Sequence, residues 1–143
     1  MSQSLIPQSD RSLLEVDMKN NRMPSKTFYI DFESKKILGM VDDKKAMEQS
    51  IYLALKTGRY NYLIFSWNYG EEINKLVGNP KDLARAELPR LLNECLLVDD
   101  RILAIEDIVI TDIVITDIEE GLHVAFIAVT IHGDIPIESE VKI

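Results

Sequence analysis

Any chemistry in this chain would have to come mainly from its carboxylates. It carries 24 Asp and Glu residues, against two His and one Cys. Two carboxyls facing each other across a cleft can cleave a glycoside, one as acid and the other as base or nucleophile. That reaction needs one carboxyl in an apolar niche, where burial keeps it protonated near neutrality. Only Glu71 and Glu72 follow an aromatic cluster closely, just after Trp67. They are better read as first-turn acids, which the helix dipole favours. A small, lysozyme-like peptidoglycan hydrolase is therefore the alternative reading and not the leading one.

The other reactive groups point to no site. His123 falls within a strand-like run and His132 in a turn, nine residues apart. With one unrelated Cys they make no metal set. Cys95 lies on the apolar face of a predicted helix, where Cys acts as a small hydrophobe. The glycines form no phosphate-cradling cluster. No catalytic residue, metal or cofactor is expected. A net charge of −8 argues against nucleic acid, which requires a basic patch to displace phosphate counterions. The charge is uneven: from Asp99 onward eleven acidic residues face only Arg101 and Lys142. A charged partner of that region would be basic. No apolar run approaches the roughly 18 residues of a membrane span. The N-terminal residues do not resemble a secretory signal, and a lone Cys suits a reducing compartment.

The elements that would position these groups follow from periodicity. The length of 143 residues suits one domain. Met1 to Lys26 has no sustained pattern and reads as an extended arm, leaving residues 27–143 as the domain. Thr27 to Phe32 and Ile37 to Val41 are strand-like, joined by a turn at Glu33 to Lys36. Asp42 is an N-cap candidate. Met47, Ile51, Ala54 and Leu55 then fall on one helical face, and Gly58 closes that helix. Tyr62 to Phe65 reads as a buried apolar strand ending in an aromatic corner, where Trp67 and Tyr69 are core aromatics and Asn68 is a cap or turn residue. Two helical turns, Glu71 to Val77, end at Gly78. Asn79 is the predicted N-cap of the next helix, with Pro80 at its first position. Ala84, Leu88, Leu91, Leu92 and Cys95 form its apolar face. Pro89 predicts a kink or short break near Arg85 to Leu88.

The remainder is β. Asp107 to Ile118 contains a five-residue quasi-repeat, Asp-Ile-Val-Ile-Thr. Five is odd, so equivalent residues would alternate between faces of a regular strand. A bulge or a break into two strands resolves this. Glu119-Glu120-Gly121 predicts a hairpin loop, Leu122 to Ile131 a long strand, and Ile135 to Lys142 a last, edge strand. The class is α+β: a small single domain with N-terminal strands and helices packed on a C-terminal antiparallel sheet.

Two motifs carry a resemblance. Arg59-Tyr60-Asn61-Tyr62-Leu63-Ile64-Phe65-Ser66-Trp67-Asn68-Tyr69-Gly70 resembles a signature of the XkdS-like family of PBSX-type prophages. These are contractile-tail baseplate proteins, related to myophage wedge proteins once labelled lysozyme-like. Asp99-Asp100-Arg101-Ile102 is similar to the family's helix-to-strand junction. In the wider wedge family that junction carries Glu-Pro-Arg. Arg101 matches the Arg, Asp99 stands for the Glu, and Asp100 replaces the Pro, so the stiff turn is lost.

The resemblance implies a non-enzymatic baseplate wedge subunit of a phage tail or R-type bacteriocin. Such a subunit is assembled in the bacterial cytoplasm as multiple copies in a ring. Its partners would be larger wedge proteins, the sheath protein, and hub or tube proteins, with no nucleic acid and no membrane. It would join the wedge proteins and template sheath assembly, with sheath arms adding strands to its sheet. Asp99, Asp100 and Arg101 are the expected partner interface. Trp67, Asn68, Tyr69 and Gly70 are the expected structural corner.

Overall fold

The computed structural model describes residues 24–143; the proposed arm lies outside the described residues except for Pro24 to Lys26. The order is β1 (Thr27–Asp31), β2 (Lys36–Val41), α1 (Asp43–Lys56), a 3₁₀ turn (Ile73–Leu76), α2 (Lys81–Leu96), β3 (Ile102–Val114), β4 (Glu120–Thr130) and β5 (Gly133–Lys142). β1 and β2 form an antiparallel hairpin, and β3, β4 and β5 form an antiparallel sheet in that order. The fold is α+β, as the periodicities imply. No helix among the described residues is long and apolar enough to cross a membrane.

The core lies between the helices and one face of the C-terminal sheet. α1 contributes Met47, Ile51 and Ala54; α2 contributes Ala84, Leu88, Leu91, Leu92, Cys95 and Leu96. Central strand β4 turns Leu122, Val124, Phe126 and Ala128 to the same core, alternating as a half-buried strand should. Asp42 does cap α1: its carboxylate accepts the Asp43 N–H at 2.8 Å.

The hairpin is held by a residue that periodicity did not single out. Gln49 of α1 is buried. Its Oε1 accepts the Ile30 N–H at 2.9 Å, and its Nε2 donates to the Phe28 carbonyl at 2.8 Å. One amide side chain thus acts as the missing neighbour of β1. This meets the requirement that buried backbone polar groups be paired.

The five-residue repeat is resolved by a bulge. The β3–β4 register shifts between Glu106 and Val109, and Asp107 takes φ 52°. Ile105 lies opposite Ala128 and Ile110 opposite Val124. Two isoleucines an odd distance apart therefore share the core face, which a regular strand forbids.

Several expectations are corrected. Tyr62 to Phe65 is not a buried strand. It belongs to a series of turns, closed by Asn61 N–H to Gly58 O, Phe65 N–H to Tyr62 O and Tyr69 N–H to Ser66 O. Leu63 and Ile64 are exposed. Glu71 to Val77 tightens to one 3₁₀ turn, ended by Gly78 at φ 85°. Pro80 itself occupies the cap of α2, with no side-chain cap bond; the Asn79 amide instead donates back to the Lys75 carbonyl at 3.2 Å. α2 runs unbroken through Pro89. Its apolar face is buried on both sides of the proline, and that packing holds the helix together across the lost backbone bond.

Candidate functional site

The Asp99–Arg101 corner joins the end of α2 to the start of β3. Asp99 N–H donates to the Leu96 carbonyl at 3.2 Å, and Ile102 N–H to the Asp99 carbonyl at 3.0 Å, so the chain turns tightly. The Asp99 carboxylate then grips Arg101 three ways. Oδ1 accepts the Arg101 backbone N–H at 3.0 Å and Nε at 2.9 Å, and Oδ2 accepts Nη2 at 2.6 Å. This is a two-point fork between a planar guanidinium and a carboxylate.

Arg101 is only 8% exposed. Its remaining donors also go inward, Nη2 to Ser50 Oγ of α1 at 3.3 Å and Nη1 to the Pro24 carbonyl at 3.4 Å. The Arg101 carbonyl accepts the Ile131 N–H at 3.0 Å. One side chain therefore ties together α1, the entry to β1 and the α2–β3 turn. Burial works against the Asp99 charge. The hydrogen bonds and charge of Arg101 outweigh it and hold the carboxyl below its ordinary range. Asp100 stands apart, exposed beside exposed Leu97 and Val98.

The aromatic segment forms a surface loop pinned at its base. Arg59 N–H donates to the Glu71 carbonyl, and Glu71 N–H to the Thr57 carbonyl, both at 2.8 Å. A loop whose ends meet in this way is a compact, self-packed one. Gly70 makes the base possible. It has φ 105°, and a Cβ there would sit 2.6 Å from the Thr57 carbonyl oxygen and 2.9 Å from the Arg59 nitrogen. Tyr69 packs against the core and stacks on Phe65 at 4.6 Å; burial pushes its hydroxyl pKa up. Trp67 is not a core aromatic. The residue is 81% exposed, and its carbonyl accepts Arg59 Nε at 2.7 Å. Asn68 lies exposed within the turns. Of the four corner residues, Gly70 and Tyr69 hold the corner while the Trp67 side chain faces outward. Glu71, far from being a free acid in a cleft, is buried, and its carboxylate accepts the Asn74 N–H at 3.0 Å and Nδ2 at 2.6 Å.

Two further clusters were not foreseen. Ser25 Oγ lies 2.6 Å from His132 Nε2, and His132 Nδ1 lies 3.5 Å from an Asp43 oxygen. The order matches a nucleophilic triad. However, the Asp43 side chain is 80% exposed and beyond hydrogen-bond reach, so it cannot orient the ring as a buried carboxylate does. The contact instead fastens Ser25 to the β4–β5 turn.

The second cluster lines an open groove of about 990 Å³ between the β1–β2 hairpin, α1 and the outer edge of β5. Tyr29, Phe32, Tyr52 and Leu55 supply apolar surface, and Glu138 and Glu140 line the β5 side. Phe32 and Tyr52 meet at 4.6 Å. Lys45 lies over the Tyr29 ring at 4.4 Å. The available signal was Tyr52, an aromatic just off the buried helical face.

The described residues thus form an antiparallel sheet backed by two helices. The chain matches the family described as contractile injection system sheath initiator over residues 21–133. It belongs to that family and so has a structural role in a contractile tail. It is 35% identical over 118 residues to the phage-like element PBSX protein XkdS of Bacillus subtilis (strain 168), an alignment covering 80% of each chain.

Proposed function

We propose that this chain is a baseplate wedge subunit that works by assembly and not by catalysis. It joins larger wedge proteins around the hub and tube and starts sheath polymerisation, in several copies forming a ring. Residues 27–143 form the wedge-type domain. The particle is a phage tail or an R-type bacteriocin, assembled in the bacterial cytoplasm. The observation carrying this reading is the β3–β4–β5 sheet. Its helix-facing side builds the core, and among the described residues no further strand pairs with its two outer strands, the kind of edge another chain can join.

At the α2–β3 corner, Arg101 serves this role indirectly. It fixes the turn, and the turn presents Asp100, Leu97 and Val98 to a wedge partner. The test is co-expression with the sheath and large wedge proteins of the same particle, followed by native mass measurement. Stable hetero-complexes support the reading. A chain that remains a monomer beside every tail protein overturns it.

A further inference from the structure

The helices cover one face of the C-terminal sheet; the other carries its own pattern. There the register sets Glu106, Ile127 and Pro136 in one cross-strand row and Val109, Ala125 and Glu138 in the next. None of these six belongs to the helix-packed core. The bulge at Asp107 is what keeps Glu106 and Val109, an odd number of residues apart, on this same face. We propose that this face seats an amphipathic α-helix of a partner chain, with an apolar contact stripe flanked by Lys and Arg. The inference adds a partner contact to the assembly role above and rests on that reading.

The backbone argues for a helix. β4 is the central strand, already paired with β3 on one side and β5 on the other. An occupant lying over it gains no ladder bonds and must pair its own backbone groups, which a helix does internally. The width agrees. Three strands spaced about 4.8 Å apart span about 10 Å, the diameter of one helix with its side chains. From His123 to Val129, β4 runs about 20 Å, the length of about 14 helical residues.

The side chains set its chemistry. Ala125, Ile127 and Val129 form an apolar spine that stays partly exposed even on a central strand, and Val109 beside it is 56% exposed. Exposed carboxylates flank the spine, Glu106 on the β3 side and Asp134, Glu138 and Glu140 on the β5 side. Lys142, on this face at the end of β5, is already paired with Glu119 at 3.1 Å, and His123 lies 3.7 Å from Glu138. Lys and Arg suit such a rim, because their stems cover apolar surface while their charges reach the acids. A second copy suits it poorly. Its α1 and α2 have their apolar faces buried in their own core, and two such sheet faces would set carboxylates against each other.

The test uses the full chain and three synthetic peptides of about 14 residues. One has a Leu stripe at helical spacing flanked by Lys. The second has the same composition with the stripe scrambled, and the third keeps the stripe with Glu in place of Lys. The first should bind at least about tenfold tighter than either control, gain helical circular dichroism on binding, and weaken with added salt. Methyl NMR shifts should centre on Val109, Ile127 and Val129. E106K/E138K changes two exposed side chains, and Ile127→Thr keeps the branched shape that suits a strand. Both should melt close to the parent and bind the first peptide at least about tenfold more weakly. No binding, equal binding of the scrambled peptide, shifts centred elsewhere, or undiminished binding by both variants would each overturn the assignment. A dimer of the free chain that Ile127→Thr dissolves would give the face to a second copy and overturn it too.

Co-expression with the sheath and wedge proteins separates the two claims. Complexes indifferent to E106K/E138K and to Ile127→Thr refute the face assignment and leave the assembly role standing. Selective peptide binding without any tail complex refutes the assembly role and leaves the face assignment standing.

Discussion

Replacing Arg101 with alanine separates a residue that serves the fold from one that serves a partner. The substitution removes the two side-chain hydrogen bonds to Asp99 and the longer ones to Ser50 and Pro24. It also strands a carboxylate that is 23% exposed. A hydrogen bond to a charged group contributes about 1.5–3 kcal/mol, and breaking a fully buried pair costs about 3–5 kcal/mol. Water can reach part of Asp99 once the guanidinium is gone, so the expected loss is about 2.5 kcal/mol. For a chain of 143 residues that lowers the Tm by about 8 °C.

The loss should also depend on pH. Asp99 in the folded parent titrates below its usual 3.8. Its contribution is therefore complete above that value and disappears as pH falls through the lower folded value. Urea unfolding of parent and Arg101→Ala at neutral pH, and again in acid, reads both effects. The gap in stability should narrow as Asp99 is protonated. A gap below about 0.5 kcal/mol at neutral pH, the usual range for surface changes, would refute the inward-facing reading. So would a sizeable gap that ignored pH.

Other outcomes follow from the same geometry. Gly70→Ala places a Cβ against two backbone atoms at a positive φ, so it should cost about 3 kcal/mol in urea unfolding; a loss under about 1 kcal/mol would mean the loop base is not closed as described. Burial pushes the Cys95 thiol up to about 12. It should resist a thiol reagent at pH 8 until the protein unfolds, and native labelling at the rate of a free cysteine would contradict that. Trp67, the lone tryptophan, should be quenched by acrylamide almost as readily as the free amino acid, and quenching should fall where a partner covers the loop. Strong protection in the isolated chain would place the ring inside the fold after all.

Features that depend on local spacing were legible along the chain. Met47, Ile51 and Ala54 in α1, and Ala84 to Cys95 in α2, had to share a buried face because helical geometry places them there. An odd repeat between Asp107 and Ile118 had to break regular pairing, and a bulge is how it does so. The family motifs likewise lie in consecutive residues. Tertiary structure alone decided where polar groups find partners. Tyr62 to Phe65 has the composition of a strand, but becomes one only if another strand supplies hydrogen bonds. Here the Thr57, Arg59 and Glu71 backbones close it into a loop instead. Arg101 could equally have faced a partner; Asp99, Ser50 and Pro24 drew it inward. Gln49 became part of a sheet from within a helix, and the β5 groove came into being only when a hairpin, a helix and a sheet edge met. Apolar periodicity is read along the chain. A hydrogen bond is satisfied by whichever group the fold brings within about 3 Å, however far away it lies in sequence.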